Sequence, residues 1–324
     1  MYSLRFDMRA PINGLASTSD LYKAALDMSR WGEKNGCFMV MASEHHASPD
    51  GYLPSPIIFA TAIAAQTTTI PINIGALLLN MYEPVKLAED MVVLDIISNG
   101  RVSYIIGLGY RKEEYDMFGV QIAKRANIIE DKIEVLLKAL KGAAFDYDGR
   151  RVHVTPGVPG QPISIAYGGH SVAAAKRAGK FGLNLFANGG EQSLSEVYID
   201  AATEAGHKPG FASIPTAGSP TTVYVAENLD KAWEEYGPYM LYDAKMYDAW
   251  GGSYKTSNIS KANTFEEMRE EKGAYQILTP EQAVACIHGG QPLMLQPLCG
   301  GCPPKLAWQS LETLANKVLP ALDQ

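Results

Sequence analysis

The residues best suited to proton transfer sit together in SEHHASPDG (43–51), where Glu44, His45 and His46 follow directly on the apolar run FMVMA. An imidazole titrates near neutrality and a neighbouring carboxylate such as Glu44 can poise it, so a general base is one reading. A metal site is a second, but adjacent residues of an extended chain point to opposite faces, and no H-E-x-x-H pattern occurs. A third is that the rings satisfy the loop backbone. The stretch by itself leaves all three open.

Two further segments carry binding chemistry. In YGGHSVAAAKRAG (167–179) a β-like run ends in Gly168, Gly169 and His170, and Ser171 stands at the N-cap position of an Ala-rich helix. Exposed amides at such a helix start form a phosphate cradle, and an ordinary tight turn with a serine cap is the alternative. In GLGYRKEE (107–114), Gly109, Tyr110 and Arg111 could approach a ligand, although the glycine spacing is not a dinucleotide fingerprint. Arg125, opening the next long helix, is another candidate cation, with a solvated helix face as its alternative. Cys299 and Cys302 form a lone CGGC without a second pair at zinc-finger spacing, so no metal site is expected and a small-residue turn suffices.

These segments must be positioned by something regular, and the hydrophobic period shows what. Short β-like runs at 3–8, 38–42, 72–79, 102–108, 162–167, 183–187, 221–226 and 293–298 alternate with amphipathic stretches. The helices fall at 19–35, with Ser19 as N-cap and Gly36 beyond its end, and at 56–68, 84–98, 122–141, 171–180, 191–206, 228–248 and 304–321. Eight strands each followed by a helix predict an α/β protein, a single (β/α)8 TIM barrel over 1–324. SEHHASPDG, LLLNMYEP, GLGYRKEE and YGGHSVAAAKRAG, which follow strands two to five, then open onto one mouth, with Phe6, Met8, Met39, Met41 and Leu77 to Leu79 as its apolar lining. Two stretches break the rhythm: a hairpin insertion at about 143–156 with an Asp-Gly turn, and a longer lid-like insertion at about 236–276. In the latter Tyr239, Tyr242, Met246, Tyr247 and Trp250 recur at near-helical spacing.

Composition narrows the partners. The 324 residues are 47% hydrophobic and 19% charged, enough apolar surface for a large core, and the net charge of -7 argues against a nucleic-acid or anionic-membrane surface. No apolar run reaches membrane-spanning length, and the opening MYSLRFDM lacks the basic and apolar regions of a secretory signal. With only four cysteines, a cytoplasmic protein with reduced thiols is expected.

Together, SEHHASPDGYLPSP, the long run TTTIPINIGALLLNMYEPVKLAEDMVVLDIISNGRVSYIIGLGYRKEEYDMFGV, PISIAYGGHSVAAAKRAG and LCGGCPPKLAWQSLETLANKVLP resemble the bacterial luciferase-like flavin-dependent monooxygenases. The resemblance implies a TIM barrel with an insertion after strand seven and a flavin at its mouth. It places proton transfer on His45, with Glu44 or His46 tuning it, and a non-prolyl cis peptide near Gly75, Ala76 and Leu77. It assigns the cofactor phosphate to Gly168, Gly169, His170 and Ser171, with Arg111 or Arg125 as cationic partner. It further implies reduced FMN delivered by a separate flavin reductase, dioxygen as co-substrate, a small, apolar organic substrate, and a homodimer. GYR-x-EE also occurs in relatives that use 8-hydroxy-5-deazaflavin, so a hydride-transferring oxidoreductase is the alternative, and a non-catalytic flavin-binding protein a further one.

Overall fold

The computed structural model describes residues 1–187, 189–215, 219–251 and 260–322. Its first half runs β1 (Tyr2–Phe6), α1 (Thr18–Lys34), β2 (Met39–Ala42), α2 (Pro56–Gln66), β3 (Ile72–Leu78), α3 (Pro84–Ser98), β4 (Val102–Gly107), α4 (Lys112–Met117) and α5 (Arg125–Leu140). The hairpin β5 (Phe145–Tyr147) and β6 (Arg150–Val152) precedes β7 (Ser164–Gly168), α6 (Val172–Lys180), β8 (Asn184–Phe186), α7 (Leu194–Glu204) and β9 (Ala212–Ser213). Then follow β10 (Thr222–Val225), α8 (Leu229–Gly251), α9 (Phe265–Glu271), β11 (Tyr275–Leu278), α10 (Pro280–His288), β12 (Leu293–Leu295), α11 (Pro304–Thr313) and α12 (Leu319–Leu322).

The chain divides into two compact units, one of residues 1–41, 48–54 and 216–324, the other of 42–47 and 55–215. In the first, β11, β10, β12, β1 and β2 lie side by side in that order; the register pairs Tyr2 with Leu293 and Val223 with Leu295, in parallel. In the second, β3, β4, β7, β8 and β9 form a parallel run, Gly107 standing opposite both Leu78 and Gly168. Apart from the antiparallel β5–β6 hairpin, these strands pair in parallel, as expected of a (β/α)8 barrel. Strands such as β10 are buried at every position, which is why they read as unbroken apolar runs.

All eight expected strands are present, and the differences have local causes. Strand β1 stops at Phe6 because Met8 takes φ 62°, incompatible with an extended chain. Helix α1 is capped by Ser17 and not by Ser19: the Ser17 hydroxyl accepts from the Asp20 amide at 3.1 Å, the spacing an N-cap requires. Helix α5 begins only at Arg125, after a tighter turn over Ile122–Lys124. The expected hairpin forms, its turn made by Asp148 and Gly149, both at positive φ.

In the longer departure at 236–276, Tyr239, Tyr242, Met246, Tyr247 and Trp250 belong to α8 itself, a 23-residue helix running to Gly251. Residues 252–259 of that insertion lie outside the described residues. Helices α9 and α10 and the four-residue strand β11 carry no strong period and were not expected. Phe6, Met8, Met41 and Leu77 to Leu79 are buried, and Met39 is half-buried. Among the described residues no helix is long and apolar enough to cross a membrane.

Candidate active site

The loop leaving β2 carries Glu44, His45 and His46 into the second unit, where all three are buried. Each histidine meets a different carboxylate. His46 Nε2 lies 2.7 Å from Glu44 Oε1, which also accepts the Tyr82 hydroxyl at 2.8 Å; Glu44 Oε2 accepts the Leu78 amide at 2.8 Å. Both Glu44 oxygens are therefore spent on fastening the loop to the end of β3 and the turn after it. This differs from the expectation that Glu44 tunes His45. A two-residue step along an extended chain keeps Glu44 and His46 on one side and turns His45 to the other.

The carboxylate beside His45 comes from α4. Glu114, with no exposed surface, sets Oε1 2.8 Å from His45 Nδ1 and 3.0 Å from the His46 amide, and Arg111 Nη1 stands 3.4 Å away. Burial by itself would raise the Glu114 carboxyl; the His45 hydrogen bond and charge, the His46 amide and Arg111 outweigh it and hold the group below its ordinary value. The Tyr110 ring meets His45 edge-on at 5.6 Å between centroids, and Phe118 meets His46 at 4.7 Å. Arg111, expected beside a phosphate, is 5% exposed and donates Nη1 to the His46 carbonyl at 2.5 Å, so its charge serves the histidine loop.

Glu114 was missed in the sequence because a six-residue helix shows no period. The signal was there in R-K-E-E: an acid three residues after an arginine at a helix start, next to the tyrosine that pins the same helix. Tyr115 donates to the Leu108 carbonyl and accepts from Asn80 Nδ2 at 2.8 Å; the same amide donates to the Arg125 carbonyl at 3.1 Å. That node fixes the ends of β3 and β4 and the start of α5, where Arg125 is half-buried.

The peptide between Gly75 and Ala76 is cis and coincides with the register shift between β3 and β4. Gly75 and Ala76 are half-buried, whereas the Leu77 side chain is in the core. A Cβ on Gly107 would lie 2.9 Å from that of Ala76, so the neighbouring strand must carry glycine there. Gly109, at φ 75°, and Tyr110 are half-buried beyond β4.

After β7 the chain turns through Gly168, Gly169 and His170 into α6. The Gly169 amide is held by the Phe186 carbonyl at 3.1 Å, and the Ser171 hydroxyl accepts from the Ala174 amide at 3.2 Å. Gly169 sits at φ 153°, and a Cβ there would lie 2.7 Å from that of Ala174, so glycine is needed for the turn to close. The amides of Val172 and Ala173 open the helix with no helical acceptor, and Ser171 and Val172 are exposed. This donor set, with an exposed helix N-terminus behind it, fits the phosphate of FMN. A deazaflavin's phosphodiester would meet the same groups.

The first unit has its own buried charges. Arg9, with no exposed surface, stands 2.6 Å from Asp50, 2.7 Å from Asp243 and 3.8 Å from Asp7, and its guanidinium lies over the rings of Tyr52, Tyr247 and Trp250. Gln296 donates to Asp7 at 2.6 Å. In the same unit a groove of about 540 Å³ is bordered by Pro11, Ile12, Leu15, Pro49, Tyr239 and Tyr242. Burial pushes the Cys302 thiol up to about 12 and the Cys299 thiol well above its ordinary value, so neither is a ready thiolate. Among the described residues no His, Cys, Asp and Glu side chains are grouped to hold a metal.

A family model described as luciferase-like monooxygenase matches residues 6–283, and the chain belongs to that family. Limonene 1,2-monooxygenase of Rhodococcus erythropolis is 27% identical over 214 residues, 61% of this chain and 54% of that protein. The chain spans about half the length of the curated relatives it matches. The oxygenating constituent of 3,6-diketocamphane monooxygenase from Pseudomonas putida, a type II Baeyer-Villiger monooxygenase solved in complex with FMN, superposes with a TM-score of 0.71 at 20% identity, covering 98% of each chain. The coenzyme F420 dependent tetrahydromethanopterin reductase of Methanopyrus kandleri superposes at 0.63, 18% identical over 99% of each chain. The fold is shared by enzymes of both cofactor types.

Proposed function

We propose that this chain is an FMN-dependent monooxygenase that oxidises a small, apolar organic compound with dioxygen, taking reduced FMN from a separate flavin reductase. The observation that carries it is His45: nearly buried at 8% exposure, its ring oriented by a carboxylate, in the same unit as a turn ready for phosphate. Reduced FMN, when bound, supplies the two electrons that send one oxygen atom to water while the other enters the substrate.

The chain's own residues bind and move protons. The Gly168–Ser171 turn and the first amides of α6 would hold the phosphate, with Arg125 at the start of α5 as the candidate cation; Gly75 and Ala76 within β3, and Gly109 and Tyr110 just past β4, would border the ring system. Buried His45 takes or gives a proton at Nε2, since Nδ1 is held by Glu114. Glu44 keeps the loop in place. Support for an apolar substrate comes from limonene, named by a relative, and from the proline- and tyrosine-walled groove of the first unit. A homodimer belongs to the same reading, supported by exposed Ile58 on α2 and Val93, Ile96 and Ile97 on α3.

The test is titration with reduced FMN, oxidised FMN and 8-hydroxy-5-deazaflavin, followed by incubation of the reduced-FMN complex with labelled dioxygen and decanal, a cyclic ketone or limonene. Preferred binding of reduced FMN and one labelled oxygen atom in a product are expected, and His45→Ala should retain flavin binding while losing product. Tight binding of the deazaflavin alone overturns the proposal in favour of hydride transfer; flavin binding without product from any probe leaves a carrier.

A further inference from the structure

We infer that Glu114 is the positioning residue of His45, holding the Nδ1 proton so that the neutral ring presents Nε2 as a base. This rests on the assignment of His45 to proton transfer. It is separable from that assignment because the ring's protonation can be read without turnover.

The two buried glutamates of the cluster are employed differently. Glu44 has both oxygens saturated by three donors, as a carboxylate retained for anchoring should. Glu114 gathers His45 Nδ1, the His46 amide and Arg111 onto Oε1 alone, and its Oε2 accepts no hydrogen bond among the described residues. A buried carboxylate oxygen without a donor costs stability, so anchoring does not account for placing an acid here. What the arrangement achieves is orientation: one charged atom fixes the ring through Nδ1 and the backbone of the next residue.

Among the described residues, Arg111, Tyr115 and Glu44 face this pair or its neighbour His46. Arg111, the N-cap residue just before α4, donates to the His46 carbonyl and approaches Oε1; Tyr115 is the phenol of α4 beside Glu114; Glu44 faces His46. With His45 and the His46 amide, Arg111 helps hold Glu114 ionised, as a hydrogen-bond acceptor for Nδ1–H should be. An ionised acid at Nδ1 also stabilises the imidazolium once Nε2 has taken a proton.

The test is nitrogen NMR of the His45 ring in the cofactor-free protein, assigned by the loss of its signals in His45→Asn. The neutral wild-type ring is expected as the Nδ1–H tautomer. In Glu114→Gln its titration midpoint should fall by about one pH unit, and in Glu114→Asp by less. With reduced FMN and substrate, kcat should fall about tenfold or more in the Gln variant, with flavin affinity unchanged, and Asp should recover part of it. An Nε2–H tautomer in the wild type overturns the inference even if the Gln variant fails to fold; so does an unshifted midpoint in a folded variant. If the midpoint shifts but His45→Ala retains product formation, the pairing stands and the proton-transfer role of His45 falls.

Discussion

His46 Nε2 and Glu44 Oε1 meet at 2.7 Å although the residues are only two apart, so the loop closes on itself at the carboxylate that also anchors it to Tyr82 and Leu78. Replacing Glu44 by Ala strands His46, the Tyr82 hydroxyl and the Leu78 amide together. Urea unfolding should show a loss of about 3 kcal/mol, with Glu44→Gln losing less because its amide oxygen still accepts. A loss below about 0.5 kcal/mol for the Ala variant would contradict this anchoring role.

Glu114 should govern part of the acid limb of stability. Its carboxyl is held below the unfolded value of 4.5, so the folded state binds that proton less readily. The stabilisation is present above the unfolded value and is lost as pH falls through the lower folded one. Urea unfolding of wild type and Glu114→Gln should differ most near neutrality, and the gap should narrow as pH falls below 4.5. A gap that stays constant with pH would show that the carboxylate's charge is immaterial to stability.

Asp7 should act with the opposite sign. Burial, reinforced by Asp243 and opposed by Arg9 and Arg5, pushes its carboxyl up from 3.8 to about 7. The folded state therefore holds the proton more tightly, and this contribution is complete below the unfolded value and lost as pH rises through about 7. Asp7→Asn cannot ionise, so it should gain on the wild type as pH climbs from about 5 to 8, whatever its baseline. Parallel pH profiles for the two proteins would refute it.

The turn after β7 offers a binding prediction. An alanine at Gly169 would put its Cβ 2.7 Å from that of Ala174 and force the positive φ to change. Equilibrium binding of reduced FMN, measured well below the melting temperature of the variant, should weaken about tenfold or more. Unchanged affinity would remove the phosphate from this turn.

How much of this was legible depended on the range over which each residue acts. Strands such as β4 and β10 announce themselves because both faces are buried, and their apolar runs need no partner to be read. Ser171 was legible as a cap because its acceptor role is local. The pairing within EHH was not: which histidine meets which acid is decided by α4, about seventy residues later and too short for a period to show. Arg9 and its three aspartates escaped notice for the same reason, Asp243 lying far along the chain on α8. Arg111 looked like a ligand cation because nothing in the sequence reveals that its guanidinium is already occupied by the His46 carbonyl.

The Leu78 amide, given to Glu44, ends a strand from a distance. Within a sheet each such hydrogen would otherwise invite one more rung of pairing, and here the invitation is withdrawn by a side chain thirty-four residues upstream. Punctuation of that kind is invisible to any local scan of the sequence, and it travels badly. β3 transplanted into another scaffold would carry its apolar run but not its full stop, and a chimera joining this strand to a foreign loop must bring Glu44 along for the strand to finish where it does here.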